Sequence, residues 1–209
     1  MPPTSKAVLA IDQYDPNEGR RLHFYAKGDL IPLVPQGIWQ IDRGLVQLST
    51  LCPNGEEVLL GWAGTSTFFG LWMTLLQAYQ ATALCDVYLR WFSVTEVEAS
   101  PRLAQIILPQ MGHRMRQAEA LLAIVGQRRV EERLQRLLLL LKKEIGQPVA
   151  GGTRLGARLT HQHIASAIGT TRVTITRLLS KLQQQGSISL DSDRHIILKD
   201  ESFASISDW

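Results

Sequence analysis

The chain has 209 residues, 45% of them hydrophobic and 20% charged, and a formal net charge of +3. That is enough to bury two modest cores, and no run of about 18 apolar residues is present to span a bilayer. Its two cysteines, Cys52 and Cys85, are too few for a disulfide scaffold, a four-thiolate cluster or a zinc site, and are expected as buried small hydrophobes. The first residues lack a basic start, a long apolar run and a small-residue cleavage site, so a cytoplasmic protein without a membrane partner is expected.

Charge is unevenly divided. Residues 1–125 carry 9 Lys and Arg against 11 Asp and Glu, residues 126–199 carry 13 against 5, and residues 200–209 carry none against 3. The modest total conceals a basic C-terminal segment, the footprint of a polyanion partner; taken alone it equally describes a solvated basic surface.

In chain order, short runs are punctuated by turn residues. Phe24-Tyr25 precede Lys27-Gly28-Asp29, Ile38–Ile41 precede Asp42-Arg43-Gly44, Leu45–Leu51 alternates, and Pro53-Asn54-Gly55-Glu56 turns. Glu57–Trp62, Phe68-Phe69-Gly70 and a late Val87–Phe92 come next. This spacing predicts an antiparallel β-roll over residues 1–99. From residue 100 to 126 the period changes. Leu103, Ile107, Met111, Arg114, Ala118, Leu122 and Val125 recur at three- and four-residue intervals, predicting one long helix that Pro109 starts or kinks. The stripe can pack within the monomer, but is better used against a second copy, as a dimerisation helix.

Gly126 is a break, and the Leu-rich Val130–Ile145 predicts a helix opening a third unit over residues 127–199. Gln147–Gly156, with Pro148 and several glycines, is expected as a loop. In Leu159–Leu182, Thr160 caps a helix burying Ile164, Ala165 and Ile168, and Thr170 caps a second burying Ile175, Leu178, Leu179 and Leu182. Gly169 between them permits the steep crossing of a helix-turn-helix. The opposite face carries Thr171, Arg172, Val173, Thr176, Arg177 and Lys181. Arg172 and Arg177 can each take guanine O6 and N7 together, and Val173 suits a thymine methyl. Phosphates would be held by the helix N-termini, with Thr160, His161 and Gln162 at the first, by Thr hydroxyls and by Lys181. His161 and His163 lie about 200° apart on a helix and cannot share a metal. Ser187–Leu190 and Arg194–Leu198 around Asp191-Ser192-Asp193 predict a hairpin, completing a winged helix. Residues 200–209 form an acidic, aromatic tail.

The expected fold class is therefore α+β: roll, long helix, then winged helix-turn-helix on double-stranded DNA. A metal enzyme would need two or three histidines and a carboxylate inside the roll, where His23 stands alone. No enzyme, metal or cofactor is expected. A third reading is a partner-binding module whose helix-turn-helix is unused.

Over residues 22–199 this layout resembles the cyclic-AMP receptor protein/FNR (CRP/FNR) family of transcription regulators. The resemblance rests on Lys27-Gly28-Asp29, Asp42-Arg43-Gly44, Asn54-Gly55-Glu56, Phe69-Gly70, the long helix and the winged helix. Ala165–Leu179 is most similar to the nitrogen-control NtcA branch. The resemblance implies a cyclic-nucleotide-binding-like roll and a homodimer on a palindromic promoter site, with half-sites about one helical turn apart. It puts base recognition on Arg172, Val173 and Arg177. The middle position is acidic in the cyclic-AMP branch, so Val173 implies GTA…TAC half-sites. It also places an effector near Phe69, Gly70, Leu71 and Trp72, but residues 69–83 contain neither the Glu nor the Arg that holds cyclic AMP. An FNR-like cluster lacks its cysteines. NtcA-like members hold 2-oxoglutarate with an Arg and a Glu five residues later, here Arg114 and Glu119; their second arginine corresponds to about Thr82. Open at this point are a small-carboxylate effector, a dimer competent without ligand, and control by abundance or by a protein partner such as RNA polymerase or a co-regulator.

Overall fold

The computed structural model describes residues 19–204. Alternating apolar side chains close the N-terminal half into two antiparallel sheets. The elements are β1 (His23–Tyr25), β2 (Gly37–Arg43), β3 (Val46–Leu51), β4 (Glu57–Ala63), β5 (Phe68–Phe69), β6 (Tyr79–Ala83) and β7 (Val87–Ser93). One sheet has the order β1-β7-β2-β5 and the other β4-β3-β6. Strand β2 shows the two-residue period at work: Trp39 and Ile41 point into the roll with Val46, Leu48 and Leu89, while Ile38 points outward to Phe68 and Phe92. Strand β6 was not foreseen, because YQATA lacks the run of β-branched residues that marks a strand. Cys52 and Cys85 are only partly buried.

After the short α1 (Val94–Ala99), Ser100 caps α2 (Pro101–Val125), accepting from the Leu103 N–H, and Pro101 opens it. Pro109 therefore neither starts this helix nor ends it; it lies inside, where its missing N–H removes one ladder bond. The apolar stripe divides. Leu103 and Ile107 are buried against Ile38, Phe68 and Phe92 of the roll, so they do not belong to a face for a second copy. Leu108, Met111, Met115, Leu122 and Val125 remain exposed, flanked by Ala118.

Helix α3 (Val130–Ile145) leads into β8 (Gly146–Val149) and β9 (Gly152–Leu155), a hairpin where a loop was expected. Gly152 there is a close-approach residue. A Cβ on Gly152, at φ +151°, would stand 2.0 Å from the Leu198 carbonyl oxygen. Its absence lets β9 join the sheet β10-β11-β9-β8, in which β10 (Ile188–Leu190) and β11 (Ile196–Leu198) form the wing. The tail begins as α6 (Asp200–Phe203) and is not detached: Phe203 is buried in the core and Asp200 bonds Lys142 and Thr153. Its last five residues lie outside those described.

The two halves share one apolar cluster. Leu45, Leu59, Trp62 and Leu84 of the roll lie in it with Leu137, Leu138, Leu141, Ile164 and Ile168 of the C-terminal unit. Beside it runs a polar chain. The Trp62 N–H donates to Gln117 Oε1 at 2.8 Å, Arg114 Nη1 donates to the same oxygen at 2.8 Å and to the Trp62 carbonyl at 3.3 Å, and Gln117 Nε2 donates to Glu144 Oε2 at 2.7 Å. His113 also reaches Glu144, at 2.9 Å. Roll, long helix and α3 are thus tied at a single glutamine that is only 2% exposed. Gly61 permits the approach: at φ +137° its added Cβ would lie 2.1 Å from Gln117 Oε1. Gly61→Ala is expected to cost about 2–3 kcal/mol through strain and displacement of Gln117, read as a lower urea midpoint with unchanged slope.

Candidate nucleic-acid interface and effector cavity

Two short helices build the first site. Thr160 caps α4 (His161–Ala167), its hydroxyl accepting from the His163 N–H at 3.1 Å. The cap of α5 (Arg172–Gln184) is Thr171, accepting from Thr174 N at 3.2 Å, and not the expected Thr170. The reason lies in the turn: Gly169 is left-handed at φ +62°, and the Thr170 N–H is used to close α4 on the Ala165 carbonyl at 3.0 Å. Ile164, Ala165 and Ile168 pack in one cluster with Ile175, Leu178 and Leu179, which fixes the crossing and turns the other side of α5 to solvent.

Arg172, Val173 and Arg177 stand on that side, all exposed, with Val173 79% accessible. No hydrogen bond or ion pair holds either guanidinium among the described residues. Other expected contacts are already engaged within the chain. Thr176 Oγ1 donates to the Arg172 carbonyl at 2.9 Å and lies 2.7 Å from His161 Nδ1; Lys181 Nζ is 2.8 Å from Glu131 on α3; Gln162 Nε2 reaches Ser166 at 3.3 Å. His163 turns away from the DNA side; it shares a small void with Gln47 and Trp62, and burial pushes its pKa down.

A cleft of about 570 Å³ opens between this unit and the wing, lined by Arg158, Thr160, His161, Arg172 and Arg194. Arg158 and Arg194 were not anticipated as site residues; Arg194, expected to open the second wing strand, precedes it in the wing tip. It sits at φ +63° in a wing tip that Asp191 organises, accepting from the Asp193 N–H at 2.9 Å and the His195 N–H at 2.7 Å. Arg154 on β9 pins the tip, its Nε donating to Asp191 Oδ2 at 2.7 Å and its Nη2 lying 2.8 Å from His195 Nδ1. Asp191, Asp193 and His195 lie close enough to share a cation, but the Arg154 guanidinium already supplies the positive charge there.

The second site is a cavity of about 310 Å³ between the roll and α2, lined by Phe69, Met73, Tyr79, Met111, Arg114 and Met115 among others. Of the residues expected near an effector, Phe69 and Arg114 line it. Gly70 is buried against the Gly37 carbonyl, Leu71 and Trp72 lie on the 3-10 turn Leu71–Met73, and Trp72 is exposed. Glu119 is exposed and lies about 140° around the helix from Arg114, so the expected pair does not converge within one chain. Thr82 is paired with Gln47 across β6 and β3, away from the lining. Burial pushes the Arg114 guanidinium below its usual value and Tyr79 above its own, while the charge of Arg114 pulls the Tyr79 value back.

A roll, a long helix and a winged helix-turn-helix with free arginines on its exposed face define a DNA-binding regulator. Residues 132–202 match the model of the Crp-like helix-turn-helix domain. The chain is 34% identical over 202 residues to the regulatory protein CysR of Synechococcus elongatus, covering 95% of this chain and 89% of that one. It is 32% identical over 167 residues to the global nitrogen regulator of Nostoc sp., covering 75% and 74%. FixK2 from Bradyrhizobium japonicum has the same fold, with a TM-score of 0.75 at 21% identity over 91% of this chain and 98% of that one. The chain belongs to the CRP/FNR family of transcription regulators, whose members bind DNA and act as dimers.

Replacing Arg172 by Ala is expected to cost about 1–3 kcal/mol on a specific site and to relax base preference, with little change on scrambled DNA; parallel titrations separate the two effects. Arg154 and His195 hold Asp191 down at about 2 against an ordinary 3.8. A depressed carboxyl contributes its stability above the unfolded value and loses it as pH falls through the folded one. The Tm difference between the wild type and Asp191→Asn should therefore be full at neutral pH and shrink as pH drops from 3.8 towards 2.

Proposed function

We propose that this regulator reads a palindromic site as a homodimer, with Arg172, Val173 and Arg177 of each copy in the major groove and Arg158 and Arg194 on flanking phosphates. The carrying observation is the face of α5: two partner-free arginines around a fully presented valine, beside a cleft lined by further arginines. An exposed β-branched apolar residue gains nothing from water, but can meet a thymine methyl. Lys181 has a smaller role than its position suggested, since a phosphate would have to compete with Glu131.

The dimer seam is the exposed row Leu108, Met111, Met115, Leu122 and Val125 on α2. With the exposed Ala118 between Met115 and Leu122, the row repeats at three- and four-residue spacing along one side of a 25-residue helix, as in a two-stranded coil. The roll does not respond to cyclic AMP: residues 69–83 carry no cation and no Glu, and the cavity holds one guanidinium. An anionic effector at Arg114 is the alternative to a dimer competent without ligand. Action on transcription would run through RNA polymerase or a co-regulator. Among the described residues no helix is long and apolar enough to cross a membrane.

Ligand-free protein titrated onto a GTA…TAC palindrome and its scrambled version at one salt concentration should prefer the palindrome about a thousandfold. Equal affinity would overturn the recognition set or the half-site. Leu122→Glu should convert the dimer to monomer by sedimentation and abolish that preference, while leaving the far-ultraviolet spectrum unchanged.

A further inference from the structure

Within the regulatory reading above, the chemistry of the effector can be narrowed. We propose that the cavity between the roll and α2 binds a monocarboxylic acid with an apolar body, its carboxylate on Arg114 and its body among Leu60, Phe69, Met73, Met111 and Met115.

Arg114 is the only cation in the lining, and no carboxylate is there to meet it. Its Nη1 is used on two neutral acceptors, the Trp62 carbonyl and Gln117 Oε1, and no ion pair to it exists among the described residues. Glu144 acts on it only at a distance, its own carboxylate being engaged by Gln117 and His113. A partly buried guanidinium without a counter-ion is costly, and its planar fork suits a carboxylate. Tyr79, on the roll side of the cavity and close enough to feel the charge of Arg114, keeps its proton and can donate a second hydrogen bond to the same carboxylate.

The remaining walls select the body of the ligand. Two phenylalanines, three methionines and two leucines surround the space, with Thr74 the only other polar side chain in the lining. A second carboxylate would meet no cation, and leaving it there unpaired is expensive. A dicarboxylate such as 2-oxoglutarate is therefore disfavoured, as is a phosphate dianion. At about 310 Å³ the cavity is at the small end for ligand sites, which fits a short-chain acid and not a nucleotide. Its open side is bordered by Met111 and Met115, which belong to the proposed seam, so a second copy would roof the ligand.

Isothermal titration of the full-length protein at pH 7, without DNA, tests this with three probes: octanoate, its uncharged analogue octanamide, and 2-oxoglutarate. Octanoate is expected to bind one per chain, octanamide at least tenfold more weakly, and 2-oxoglutarate more weakly than octanoate. Met73→Glu, which lines the cavity but makes no contact with the Gln117 chain, should abolish octanoate binding and leave Tm within a few degrees. Equal binding of octanamide, tighter binding of 2-oxoglutarate, or no heat with octanoate would each overturn the assignment. Palindrome preference with no octanoate binding rejects this ligand class alone; octanoate binding with no preference, with or without the acid, upholds the ligand and rejects the recognition set.

Discussion

Much of this molecule depends on how Trp62 is held. Its peptide group is gripped by α2, the N–H by Gln117 and the carbonyl by Arg114, while its indole enters the cluster formed by α3 and α4. A residue of the roll is thereby a core residue of the DNA-binding unit. Moving the roll relative to the reading head would break buried hydrogen bonds and open apolar surface together, and interiors at close packing tolerate neither well. The position of the recognition helix is consequently tied to the roll through Trp62 and Gln117, with Leu45, Leu59 and Leu84 in the same cluster.

This arrangement also gives an effector something to act on. Arg114 lines the cavity and bonds Gln117, which bonds Glu144 on the first helix of the winged unit. Anything that draws the guanidinium into the cavity competes with its bonds to Gln117 and Trp62. Such a ligand shifts the equilibrium only by its differential affinity for the two arrangements, and a change in an already paired buried network supplies such a difference. The reading head is kept rigid by local means: threonine caps, a left-handed glycine, and the Arg154–Asp191–His195 lock on the wing.

Legibility was greatest where chemistry is local. Caps, turn glycines, helix period and the run Arg172-Val173 lie within a few residues of one another, so their roles follow from backbone geometry and spacing. Thr170 misled because two threonines adjoin, and which one caps depends on whether the preceding helix takes its N–H. The hairpin after α3 was hidden by glycines that usually signal loops; here one of them, Gly152, admits the neighbouring strand β11. The stripe on α2 was visible as a stripe, but its division between roll and solvent was not, since Leu103 and Met111 are equally apolar and differ only in what lies opposite.

By itself the sequence determined the family, the order of units, the basic C-terminal half and the recognition face, because each rests on residue type at short spacing. Only the tertiary structure decided which cations are free. Arg172 and Lys181 are alike in sequence terms, yet one faces solvent and the other an acid 50 positions away. Arg114 looked like half of an Arg–Glu pair; within one folded chain it turns about 140° away from Glu119 and bonds Trp62 and Gln117 instead. Charges act through space, and pairing across distant segments exists only after the chain has closed upon itself.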